Sequence, residues 1–155
     1  MKKFLVLLMV TVSSLLLAAC GDASPTDNDI ITLTFSAADN DDYTFEGATG
    51  EVGAAEGTKD PALTLTVGQR YRIVNQASAA HPFELLDGEA EFGSDVVLLS
   101  QREEKEGSFE SDADVAFEAD DSSMTFTLTQ GLAKALSAYR CEFHPVNMRG
   151  VVGVQ

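Results

Sequence analysis

The chain has 155 residues and a formal net charge of −15, with a sequence pI of about 4.2. Charge of that sign excludes nucleic acid and anionic lipid as electrostatic partners. The length predicts one domain with a single core.

The N-terminus reads as an export signal. Lys2 and Lys3 precede a largely apolar run from Phe4 to Leu17, interrupted by Thr11, Ser13 and Ser14. The run is shorter than a bilayer-spanning helix needs and has the layout of a signal peptide, residues 1–19. It ends in Leu17-Ala18-Ala19-Cys20, which resembles the lipobox of bacterial lipoprotein precursors. That resemblance implies lipidation of Cys20, export, and attachment to a cell-envelope membrane through the lipid alone. An ordinary signal with small residues at its cleavage site is the alternative. Gly21 rather than Asp follows the cysteine, so nothing in the resemblance implies inner-membrane retention. Losing Lys2 and Lys3 would take the charge from −15 to −15 − 2 = −17. Residues 20–29 then form a polar tether, GDASPTDND after the cysteine, with no apolar side chain larger than Ala23.

From residue 30 to 155 the pattern is that of short strands. Ile31, Leu33 and Phe35 alternate with threonines, and Tyr43 and Phe45 make a second run. Gly47 to Pro61 contains four glycines and reads as a long loop. Leu63, Leu65 and Val67 alternate again, Gly68-Gln69 turns, and Tyr71 to Asn75 returns. Phe83 to Leu86 stops at Asp87-Gly88, a hairpin signal, and Val96 to Leu99 follows. Gln101 to Asp114 is charged and reads as loop. Met124, Phe126 and Leu128 mark a half-buried strand, Gly131 to Ser137 one helical turn, Ala138 to Phe143 another strand, and Val151 to Val154 the last. The expected fold is all-β, an antiparallel Greek-key sandwich of seven or eight strands. Tyr71, Phe83, Phe126 and Tyr139 are expected as core or sheet-face aromatics.

The chemistry concentrates in Tyr139 to Gly150, YRCEFHPVNMRG. Cys141 is followed by His144 and Met148, and His81 is the other of two histidines. If Cys20 carries lipid, Cys141 has no partner within the chain for a disulfide. A thiolate, two imidazoles and a thioether are the donor set of a blue-copper site: soft sulfur stabilises Cu(I), and imidazole suits both oxidation states. Each residue alone also has a plainer reading, Cys141 as an inert buried cysteine, His144 as a turn cap beside Pro145, Met148 as core filler. Structural zinc usually takes four Cys or His ligands, and this chain offers three. A Cys–His nucleophile would need an orienting third residue, and the sequence contains no recognisable nucleophile turn, so no enzymatic activity is expected.

Taken together, Cys-x2-His-x3-Met near the end of an exported β-rich chain resembles the cupredoxins, the type 1 copper proteins of the plastocyanin, amicyanin and pseudoazurin kind. The resemblance covers about Ile30 to Gln155. It implies one copper ion held by His81, Cys141 and His144 with Met148 axial, and an electron carrier serving envelope redox proteins through His144. Three features depart from the pattern. The x3 gap between His144 and Met148 lies between the shorter and the longer loops of relatives. Pro82 follows the first histidine where relatives often have Asn, and proline has no N–H to offer the sulfur. Phe143 stands before His144 where several relatives have proline, and it keeps its N–H. Two alternative functions are a copper carrier or chaperone using the same residues, and a metal-free envelope module. The spread of acidic residues reads first as solvation, compatible with a basic redox partner.

Overall fold

The computed structural model describes residues 29–88, 95–102 and 107–155. The expected signal peptide, Cys20 and the expected tether up to residue 28 lie outside them. Ten strands and one short helix follow in order: β1 (Ile30–Ser36), β2 (Thr44–Ala48), β3 (Leu63–Leu65), β4 (Arg70–Asn75), β5 (Phe83–Asp87), β6 (Val96–Ser100), β7 (Glu118–Ala119), β8 (Ser123–Thr127), α1 (Gln130–Ala135), β9 (Ala138–Cys141) and β10 (Arg149–Val154). Among the described residues no helix is long and apolar enough to cross a membrane.

The strands form two five-stranded sheets, β2-β1-β4-β8-β7 and β3-β10-β9-β5-β6. Alternation explains how they pack. Leu33 and Phe35 of β1, Tyr71 and Ile73 of β4, and Met124 and Phe126 of β8 point inward and are buried. Leu63, Leu65, Phe83, Leu85, Tyr139 and Cys141 do the same from the second sheet, and all join one apolar cluster. Phe35 meets Phe83 across the sandwich with ring centroids 5.2 Å apart, and Phe83 stacks on Tyr139 at 5.1 Å. The four aromatics expected in the core are all buried.

Three expectations need correction. The sheets are mixed, because β1 pairs with β4 in parallel and β10 with β3 in parallel. Among the described residues the count is ten strands rather than seven or eight. β7 has two residues, both exposed, too short to show any alternation. Gly68-Gln69 does not return β3 upon itself. It carries the chain from one sheet to the other, with Gly68 at φ +85°, a conformation glycine adopts without steric cost.

The helical turn is present one residue earlier than predicted. Thr129, in extended conformation, accepts the Leu132 N–H at 3.2 Å as N-cap, and Leu132 is buried. The β5–β6 hairpin is also present. The long loop after β2 is tied down at two points: Val52 is buried, and the Tyr139 hydroxyl donates to the Pro61 carbonyl at 2.9 Å.

Candidate metal centre

Strand pairing brings the donors together. Cys141 ends β9 and sits directly opposite Phe83 in β5, so His81, two residues before Phe83, arrives at the same end of the sheet. His144 lies on the loop between β9 and β10. The Cys141 N–H donates to the Met148 carbonyl at 2.8 Å and the Met148 N–H to the His144 carbonyl at 3.1 Å, closing this loop at its base. Residues 60 apart in sequence are thereby placed in contact.

His81 Nδ1 and His144 Nδ1 are 3.1 Å apart. Cys141 Sγ lies 3.8 Å from His81 Nδ1 and 3.5 Å from His144 Nδ1. Among the described residues these three form the group of His, Cys and acidic side chains able to share an ion. Cys141 and His81 are buried, and His144 is half-buried. A first-row ion takes nitrogen at roughly 2.0 Å and sulfur at roughly 2.3 Å. Every edge of this triangle is shorter than the sum of two such bonds, so one ion can touch all three atoms. Two imidazole nitrogens this close also need a shared cation or proton between their lone pairs, because two N–H groups would repel.

The electrostatics suit a thiolate held by a cation. Burial pushes the Cys141 thiol above its ordinary pKa, while the backbone N–H groups of His144 and Phe143 pull it back down. Phe143 thus offers the sulfur the donor its sequence position promised. Burial, then the neighbouring His144, hold His81 below its ordinary pKa, which favours the neutral ring that metals bind. The residues present therefore fit a soft, imidazole-tolerant ion. Copper suits the set better than zinc, whose structural sites want a fourth Cys or His.

Met148 is fully buried at the foot of the loop, with its backbone tied to both Cys141 and His144. The structure also shows neighbours that the sequence did not single out. The Tyr43 hydroxyl donates to the His81 carbonyl at 2.6 Å, and Asn75 Nδ2 donates to the same carbonyl at 2.7 Å. Asn75 Nδ2 also reaches Gln101 Oε1 at 2.9 Å, which accepts the Phe83 N–H at 3.1 Å. Pro82 has no N–H to offer, and a side chain 38 residues away in sequence holds this segment through the His81 carbonyl. No local pattern announces such a partner. A cavity of about 580 Å³ beside the loop is lined by Pro82, Gln101, Arg102 and Phe143 among others, but by none of the three donors.

No protein-family model matches the chain, and no curated protein matches it. Solved structures do. Rusticyanin from Thiobacillus ferrooxidans aligns at TM-score 0.46 and 13% identity, over 82% of this chain and 78% of that one. A further rusticyanin structure, described as a copper protein, gives the same TM-score, identity and coverage. An oxidized amicyanin variant aligns at TM-score 0.37 and 16% identity, over 84% of this chain and 86% of that one.

Proposed function

We propose that the chain is a cupredoxin-type electron carrier that binds one copper ion in a type 1 site. The observation that carries this reading is the convergence of His81 Nδ1, Cys141 Sγ and His144 Nδ1 within 4.8 Å of one another at one end of a rigid sandwich. His81, Cys141 and His144 would hold the ion strongly, and the Met148 thioether would complete the donor set. Bound copper supplies a one-electron Cu(I)/Cu(II) couple. The protein's part is to keep the donors nearly still in both oxidation states. Cys141 and His81 stand on or beside paired strands, and the Phe143 and His144 amides hold the sulfur's charge. No substrate is transformed.

Burial favours a carrier of electrons over a carrier of copper. Handing a metal to another protein needs a thiol that the acceptor can reach, and Cys141 is fully buried. Electrons need only a short path, and half-buried His144 is the exit. Around it Phe143 is 49% and Val146 63% exposed, a small apolar face for a partner. Asp39 and Asp41 are exposed beside the same loop, where Asn147 Nδ2 donates to Asp41 Oδ1 at 3.1 Å. A redox partner with basic residues around its own centre fits that rim. With Cys20 lipidated and residues 1–19 removed, the domain works tethered to the cell-envelope membrane among envelope redox proteins.

The test is a visible absorption and electron-spin spectrum of residues 21–155 loaded with Cu(II), beside Cys141→Ser. The expected result is an intense blue thiolate-to-copper band with narrow copper hyperfine splitting, absent from the variant. A colourless protein, or colour that survives the substitution, removes the electron-carrier reading.

A further inference from the structure

The loop that carries Cys141, His144 and Met148 begins after Arg140 and ends before Arg149. In the β9–β10 register those two arginines stand directly opposite each other. Like charges in that position push paired strands apart, and here they sit at the two stems of the proposed metal loop. Asp95 lies between them. Its side chain is 1% exposed, and it accepts from Arg140 Nη1 at 2.7 Å and from Arg149 Nη2 at 3.3 Å. Across the other edge of β9, Glu84 is directly opposite Arg140. It is fully buried and accepts from Arg140 Nε at 2.8 Å. The outer face of this sheet therefore carries a row of alternating charge, Glu84, Arg140, Asp95, Arg149, with no net charge. Arg149 also reaches into the loop, where its Nη1 donates to the Pro145 carbonyl at 3.5 Å.

The chain makes room for this row. Gly88 lies against Asp95, and a Cβ added there would fall 2.9 Å from Asp95 Oδ1 and 3.2 Å from its Cα. Strand alternation places Arg140 on the face opposite Cys141. Asp95 is thus not a ligand, and whatever it does to the centre it does through the strands.

Resting on the copper reading for its consequence, we infer that Asp95 is a positioning residue that holds the two stems of loop 141–148 together against the repulsion of Arg140 and Arg149. Removing its charge opens the loop base at the Cys141–Met148 hydrogen bond. Removing one arginine as well relieves the repulsion, so Arg149→Met added to Asp95→Asn restores part of the loss. A purely general stabiliser would show no such rescue and no such locality.

The experiment follows amide hydrogen exchange in the metal-free protein, comparing wild type, Asp95→Asn and Asp95→Asn/Arg149→Met. In Asp95→Asn the Cys141 amide is expected to exchange at least about tenfold faster. The Ile73 amide in the other sheet should change far less, and the double variant should recover part of the protection. In the copper-loaded protein, the loss of Cu(II) to a chelator should quicken by about tenfold or more, as with other residues that orient ligands. Unchanged exchange at Cys141, or equal acceleration at Cys141 and Ile73, overturns the inference. If Asp95→Asn does not fold, Arg149→Lys, which keeps the charge but loses the two-pronged contact, is read against the same two amides. A wild-type protein that binds no copper would overturn the metal reading while leaving the exchange result to decide the role of Asp95.

Discussion

The Tyr43 hydroxyl is buried, donates to the carbonyl of His81, and has its pKa driven far above the ordinary phenol value, first by burial and then by the Cys141 charge. Tyr43→Phe removes that donor but leaves the Asn75 donor on the same carbonyl. The expected cost is about 0.5–1.5 kcal/mol in urea unfolding, together with a shift of the blue band in the copper-loaded protein. A band that stays in place would show that the hydroxyl only packs. Asn75→Ala should cost more, because Asn75 Nδ2 serves two buried acceptors. Asp60 behaves differently. Burial, opposed by the Tyr43 N–H, raises its pKa from 3.8 to about 6. The folded protein then holds the proton more tightly than the unfolded chain. This contribution to stability is fully present below pH 3.8 and is lost as pH rises through about 6. Asp60→Asn tolerates the local φ of 40° and should flatten the fall in stability between pH 4 and 7. Urea midpoints at both pH values check this, and an unchanged difference between them would refute it. Asp120 works in the opposite window. The Ser122 N–H and the Ser123 hydroxyl lower its pKa to about 2, so its contribution is present above pH 3.8 and fades as pH falls toward 2.

At the scale of elements, the helical turn between the sheets aims β9. Thr129 caps it, Leu132 anchors it in the core, and the chain enters β9 three residues after its last helical residue. Thr129→Ala should cost about 1 kcal/mol, read as a lower thermal midpoint, with the copper spectrum unchanged because the cap touches no ligand. A changed spectrum would place the helix in control of the centre. Gly150 is similarly constrained, since a Cβ there would overlap the ring of Tyr139. The strands themselves were legible because their side chains alternate between core and solvent. Their partners were not, since alternation states which face is buried and says nothing about which strand lies alongside. The parallel pairs β1–β4 and β3–β10 are therefore tertiary facts. So is β7, whose two exposed residues leave no pattern to read.

For the whole molecule, charge governs approach. With a formal net charge of −15 and acidic residues beside the exposed loop, electron transfer with a basic protein should slow as salt rises. The Debye length falls from about 30 Å at 0.01 M to about 8 Å at 0.15 M, so stopped-flow rates at these two ionic strengths should differ severalfold. Val146→Ser, which removes apolar surface from that face without adding charge, should slow electron exchange further without loss of colour. Rates indifferent to both changes would move the docking face elsewhere. The sequence by itself offered the donor types, soft sulfur and imidazole at Cys141, His144, Met148 and His81, a set that suits copper once it converges. It also determined an all-β core, because alternation with threonine leaves one face apolar. Only the tertiary structure decided that Tyr43, Asn75 and Gln101 hold the His81 segment, and that Glu84, Arg140, Asp95 and Arg149 align across one sheet. Those contacts join residues far apart in the chain, and their geometry comes from strand register, which is set by the packing of the whole core.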